Sequence, residues 1–209
     1  NLDWPFKKKD GEEIWFKIAG DPVADEDEVL WTVVDITQRV QTQNKIEQLA
    51  SQLSKYLSPQ VYKSIFSGKK NVKIEAYRKK LTVFFSDIKG FTEITDRLEP
   101  EVLSSLLNSY LNEMSQIALR HGGTIDKFVG DAILIFFGDP ESKGEMEDAR
   151  DCVKMALKMR ERVSYLQDKW QKEGFSDPFQ VRMGMNTGFC NVGNFGSDQR
   201  LTYTIIGSE

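Results

Sequence analysis

Apolar positions along the chain change period several times, and each change predicts an element. Over residues 1–40 the period is two. Ile14, Phe16 and Ile18 alternate with Trp15 and Lys17, Leu30 to Ile36 is a second β-rich run, and Lys9-Asp10-Gly11 and the acidic loop Asp21 to Glu28 separate strands. From Gln38 to about Ser67 the period turns helical. Ile46, Leu49, Leu53 and Tyr56 recur at spacings of three and four with Glu and Lys between them, a short heptad seam that calls for a partner helix. Pro59 permits a restart, with Val61, Ile65 and Phe66 as its apolar face and Gly68 as its stop. The seam is read as a dimeric, parallel signalling helix in preference to a linker packed on its own domain. Asn71 to Lys80 is polar and reads as linker, which places the domain boundary there.

Beyond that point strand and helix patterns alternate. Leu81 to Phe85 is a buried-strand run that ends in Ser86-Asp87 and a turn at Gly90. Glu101 to Arg120 is an amphipathic helix with Leu103, Leu106, Leu107, Tyr110, Leu111, Met114, Ile117 and Ala118 on one face. Thr124 to Val129 and Ala132 to Phe137 are short strands around the tight turn Gly130-Asp131. A second helix is expected over Glu145 to Trp170, with Ala149, Cys152, Val153, Ala156, Leu157, Val163 and Leu166 inward. Three strands follow, 179–186, 187–192 and 201–206, with Gly188, Gly193 and Gly196 taken as turns. The sum is an α/β (α+β) layer fold with helices on one face of a sheet.

Candidate chemistry collects at the strand ends. Asp87 closes a strand and Asp131 sits at a hairpin tip; if those strands are neighbours, both carboxylates converge on one hard cation, which prefers oxygen ligands and brings substrate phosphates with it. Gly90-Phe91-Thr92 opens a helix whose free N–H groups and dipole suit a phosphate. His121, the one histidine, sits where it can cap helix carbonyls. A net charge of −4 and the lack of a basic face argue against nucleic acid as a partner. No apolar run approaches the roughly 20 residues that span a bilayer, and no signal peptide opens the sequence, so this segment is expected to make no membrane contact. Cys152 and Cys190 fit free, packed thiols of a reducing, cytoplasmic compartment, with an upstream anchor left open.

Three stretches together carry a resemblance: Phe85-Ser-Asp-Ile-Lys-Gly-Phe-Thr92, Lys127-Phe-Val-Gly-Asp131 and Tyr203-Thr-Ile-Ile-Gly207. In this order they resemble the class III nucleotide cyclases, over residues 81–209. The resemblance implies a ferredoxin-like catalytic domain with an antiparallel or mixed sheet, and two Mg²⁺ or Mn²⁺ ions held by Asp87, Asp131 and the Ile88 carbonyl. It implies β- and γ-phosphates at Gly90, Phe91 and Thr92, and a head-to-tail homodimer with sites at the interface. Lys127 and Thr204 match the family's base-reading positions; Lys127 supplies donors only and Thr204 can accept, which suits ATP. Members that use GTP carry Glu and Cys there, and other ATP users carry Asp where this chain has Thr204. The expected activity is conversion of ATP to 3′,5′-cyclic AMP and pyrophosphate. The family's transition-state Asn and Arg lie just past the Ile-Gly step, where this sequence stops, so the segment alone is expected to be inactive or nearly so. Residues 1–40 resemble the last strands of a PAS sensor closing in Asp35-Ile36-Thr37, with residues 41–80 as coiled-coil transducer and an unrelated three-stranded extension as the other reading. The sensor looks cut on that side. Two competitors remain: a diguanylate cyclase, disfavoured by Gly130-Asp131-Ala132 at the hairpin, and a catalytically silent cyclase-like scaffold.

Overall fold

The computed structural model describes residues 2–22, 29–54, 59, 61–62, 75–175, 178–197 and 199–207. The chain divides into two compact units, Asn1–Tyr56 and Leu57–Glu209. In the first, β1 (Leu2–Lys7), β2 (Glu13–Pro22) and β3 (Val29–Asp35) form an antiparallel meander. Gly11 turns β1 into β2 at φ +91°, its N–H donating to the Lys8 carbonyl at 3.0 Å. Helix α1 (Thr37–Leu53) leaves the sheet through the Asp-Ile-Thr step. Asp35 Oδ1 accepts from the Thr37 N–H at 2.8 Å, and Thr37 Oγ1 accepts from the Trp15 N–H at 2.9 Å. Ile36 is the one buried residue among those described in this unit, while Trp4, Phe6, Trp31 and the α1 seam of Ile46, Leu49 and Leu53 stand half exposed or more. Tyr56 and the restart's Ile65, Phe66 and Gly68 lie outside the described residues.

The second unit is built on β4 (Glu75–Ile88). This strand begins inside the stretch that reads as polar linker: Glu75 to Lys80 pair with Asn194 to Phe189, because a strand with one open face tolerates the alternating charges of Arg78 and Lys80. Short helix α2 (Phe91–Arg97) and long helix α3 (Pro100–Arg120) follow. Then come the hairpin β5 (Thr124–Val129) and β6 (Ala132–Phe137), helix α4 (Glu145–Lys172), β7 (Val181–Ser197) and β8 (Arg200–Ile206). The antiparallel order is β5-β6-β4-β7-β8, the split arrangement expected of a ferredoxin-like core, extended by one edge strand.

β7 is one strand of 17 residues, where the sequence pattern suggests two. Its glycines are not turns. A Cβ at Gly193 would lie 2.1 Å from the Glu75 carbonyl oxygen, and one at Gly196 would lie 2.1 Å from that of Arg200, so these residues let the neighbouring strands close in.

Both long helices cover one sheet face. Tyr110, Met114, Ile117 and Ala118 of α3 meet Cys152, Met155, Met159, Val163 and Leu166 of α4 over Phe84, Ile133, Ile135 and Phe137. Each Val, Leu, Ile, Phe or Met side chain among them, fully withdrawn from water, contributes about 1.5–3 kcal/mol. Val153 and Leu157, expected inward, are 45% and 51% exposed; the buried stripe of α4 runs through Met155 and Met159 instead, leaving them at its edge. With Val181, Met183 and Met185 they line an open groove of about 340 Å³.

The opposite face carries a smaller cluster of Leu81, Phe136, Cys190 and Val192, joined by Val83, Tyr203 and Ile205. It is pinned by the buried Asp139 carboxylate, which accepts from the Tyr77 hydroxyl at 2.5 Å, from Lys79 Nζ at 3.1 Å and from the Tyr203 hydroxyl. The sheet curls far enough that side chains of its two edge strands, β5 and β8, touch. Both cysteines are free and buried, as packing residues should be. Among the described residues no helix is long and apolar enough to cross a membrane.

Candidate active site

Asp87 and Asp131 come together because β6 pairs directly with β4. The Asp131 carboxylate reaches back from the hairpin tip and accepts the Ile88 N–H at 2.7 Å, tying the second acidic residue to the strand that carries the first. Buried Tyr110 registers both charges: desolvation pushes its phenol up to about 12, and Asp131 and Asp87 each push the same way.

A residue the sequence reading passed over faces Asp87. Arg182, opposite it in the β4–β7 register, forks its carboxylate, Nε to Oδ1 at 2.9 Å and Nη2 to Oδ2 at 2.6 Å. The Arg182 guanidinium is held above its ordinary range, first by that hydrogen bond and then by the Asp87 charge, with Asp131 adding to it. In sequence the signal was an Arg set between Val181 and Met183 in a strand pattern. Its partner is 95 positions away, so nothing local reveals the pair.

These groups fit a hard divalent ion. Two carboxylates and the Ile88 carbonyl are oxygen donors of the right kind, and a cationic group already sits against Asp87. Among the described residues no cluster of three or more His, Cys, Asp or Glu side chains gathers for a metal, so phosphate oxygens or water would complete the coordination.

Gly90, at φ +66°, is the N-cap of α2, and no side chain caps the amides that open the helix. The Phe91 ring packs edge-on to fully buried Phe179, which also meets Tyr110, Trp170 and Phe175. Partly buried Phe91 thus anchors the turn against the core. Thr92 is exposed. His121 Nδ1 lies 2.8 Å from the Ile117 carbonyl at the end of α3, the capping place expected of it.

At the other edge Lys127 and Thr204, 77 positions apart, are in contact: Lys127 Nζ donates to Thr204 Oγ1 at 3.0 Å. A second unforeseen residue, Asp126, accepts the Thr204 hydroxyl at 2.6 Å. A β-bulge explains how consecutive residues reach one hydroxyl. The β5–β6 register shifts between Ile125 and Lys127, leaving Asp126 as the extra residue. Two consecutive charged residues, Asp126 and Lys127, in a short strand were the available signal.

The sheet order, with two helices on one face, is that of a ferredoxin-like core, and it sets Asp87 at the end of the central strand beside Asp131 at the neighbouring hairpin tip. Residues 72–209 match the family described as the adenylate and guanylate cyclase catalytic domain, and the chain belongs to that family. It is 31% identical over 132 residues to adenylate cyclase 1 of Rhizobium meliloti (strain 1021), covering 63% of this chain and 19% of that protein's length. The crystal structure of the adenylyl cyclase CyaB from P. aeruginosa is similar at 57% identity and TM-score 0.63, over 65% of this chain and 69% of that one. That of the guanylyl cyclase Cya2 is similar at 35% identity and TM-score 0.60, over 65% of this chain and 67% of that one.

Proposed function

We propose that the second unit is an adenylyl cyclase domain that converts ATP to 3′,5′-cyclic AMP and pyrophosphate, in a homodimer regulated by an N-terminal sensor. The contact of Lys127 Nζ with Thr204 Oγ1 at 3.0 Å carries the reading. It puts a group that only donates beside an oxygen that can accept. Adenine presents an acceptor at N1 and a donor at N6, whereas guanine presents a donor at N1 and an acceptor at O6. Against guanine the Lys127 ammonium would face a donor, which disfavours that base.

Ring closure joins the ribose 3′ oxygen to the α-phosphorus as pyrophosphate leaves, and positioning with charge neutralisation supplies most of the acceleration. Asp87, Asp131 and the Ile88 carbonyl would hold two Mg²⁺ or Mn²⁺, which when bound lower the pKa of the 3′-hydroxyl and offset phosphate charge. The Ile88 N–H fixes the Asp131 carboxylate, and Arg182, which forks both oxygens of Asp87, would yield at least one of them to an ion. Backbone amides at Gly90, Phe91 and Thr92 take the β- and γ-phosphates, with Phe91 anchored on Phe179. Asp87 and Asp131 of one subunit face Lys127 and Thr204 of the other. The strands before α1 act as the end of a PAS-like sensor and α1 (Thr37–Leu53) as a coiled-coil transducer, its exposed Ile46, Leu49 and Leu53 supporting a partner helix.

The test is cyclic nucleotide formation from ATP and from GTP, with Mg²⁺ and with Mn²⁺, by the full-length protein and its Asp87→Ala and Lys127→Glu variants. Cyclic AMP from ATP is expected, abolished by Asp87→Ala and selectively weakened by Lys127→Glu. A wild type that binds ATP and dimerises yet makes no product would leave a cyclase-like scaffold.

A further inference from the structure

A hydroxyl both donates and accepts, so Thr204 by itself could serve adenine N6 or guanine O6 equally well. Its surroundings remove the ambiguity. The Asp126 side chain is fully buried, and its Oδ2 takes the Thr204 hydroxyl hydrogen at 2.6 Å. Thr204 has one hydrogen to give, and an ionised carboxylate can only accept it. One of the two lone pairs of Thr204 Oγ1 takes the Lys127 Nζ hydrogen at 3.0 Å, which leaves the other to accept from a base. Asp126 Oδ1 has no hydrogen bond among the described residues and faces Lys127 Nζ at 3.5 Å. Burial pushes the Asp126 carboxyl up, and the Thr204 hydrogen bond, the Lys127 charge and the Ile205 backbone N–H oppose it, favouring the ionised form. A fully buried carboxylate is costly to keep, and the bulge at Asp126 aims it at this hydroxyl.

We propose that Asp126 determines base specificity: by taking the hydrogen of the Thr204 hydroxyl it presents Thr204 to the purine as an acceptor only, which admits adenine N6 and refuses guanine O6. Thr204 and Asp126 together then do what a single carboxylate at position 204 would do. The inference rests on the adenylyl cyclase reading above.

The test compares the ATP-to-GTP ratio of kcat/KM in the full-length wild type, Asp126→Asn, Thr204→Asp and the double variant Asp126→Asn/Thr204→Asp. Binding of ATP and of GTP to each, followed by calorimetry, provides a readout without turnover. An Asn amide can donate to Thr204 and turn its hydroxyl toward the base, so Asp126→Asn is expected to lower the ratio about tenfold, the effect of one mis-set hydrogen bond at a base edge. Thr204→Asp alone sets two carboxylates against each other and should use ATP poorly. The double variant restores a lone acceptor and should recover the ratio to within a few fold of wild type, which a merely structural role for Asp126 does not predict. An unchanged ratio in Asp126→Asn overturns the proposal, as does a double variant no better than Thr204→Asp. Should Asp126→Asn alone not fold, the two Thr204→Asp proteins decide. A wild type that forms no cyclic nucleotide speaks against the cyclase reading, and the binding ratio then judges Asp126 by itself.

Discussion

Gly193→Ala tests how closely the central strands approach. The added Cβ would sit 2.1 Å from the Glu75 carbonyl oxygen, 2.6 Å from the Ala76 Cα and 3.0 Å from the Glu75 carbonyl carbon. All three are main-chain atoms of the strand paired with Gly193, so no side chain can swing aside, and relief requires β4 and β7 to separate by more than an ångström. Overpacking of this kind costs about 1–3 kcal/mol, and the φ of +155° adds about 1 kcal/mol for a residue with a Cβ. A loss of about 3 kcal/mol corresponds to a fall in Tm of about 10 °C for a unit of this size. Gly184 on the same strand is the control: nothing lies within 4 Å of its added Cβ, and Gly184→Ala should raise stability by about 0.4–1 kcal/mol by restricting the unfolded chain. Thermal unfolding followed by circular dichroism compares both with wild type. A Gly193→Ala Tm within about 3 °C of wild type, or an equal loss in Gly184→Ala, would refute the reasoning. Gly193 is also opposite Thr204 in the β7–β8 register, so the same change should loosen the choice between ATP and GTP.

Asp139→Asn removes a buried charge that receives two tyrosine hydroxyls and Lys79, and should lower stability by about 3 kcal/mol, read as an earlier urea midpoint at unchanged slope. Cys152, whose thiol burial pushes up to about 12, and buried Cys190 should resist Ellman's reagent at about pH 8 in the native protein, both reacting after unfolding. Arg162 forks Glu113 at 2.6 and 2.9 Å and holds its carboxyl below the ordinary 4.5. A depressed folded pKa stabilises above the unfolded value and is lost as pH falls through the folded one. Glu113→Gln should therefore remove about 1 kcal/mol of the stability that wild type loses between about pH 5 and pH 3, seen as a flatter curve of unfolding free energy against pH.

Local periodicity was enough for α3 and α4 and for the β5–β6 hairpin, since an amphipathic stripe or a Gly-Asp turn between apolar runs states its element within a few residues. It misjudged β4 and β7 for one reason. Both strands continue past the apolar core into positions whose support comes from across the sheet, Lys80 beside Phe189 and Gly193 beside Ala76. The pattern alone offered Asp87 and Asp131 as carboxylates at a strand end and a hairpin tip, while Lys127 and Thr204, inside β5 and β8, drew attention only through the resemblance. Arg182 and Asp126 were not legible, because what each does depends on a partner brought close only by strand pairing or by a one-residue bulge.

β4 is also a beam. It pairs with β7 at every position from Glu75 to Ile88, a span of about 43 Å at 3.3 Å per residue, and β6 braces it from Thr82 to Ser86. A strand clamped in this way has little freedom to bend, so a displacement at Glu75 is felt at Asp87 as translation or tilt of the whole rod. Control exerted through the start of this strand would then act on Asp87 as leverage on a stiff body and not as gradual loosening of a loop.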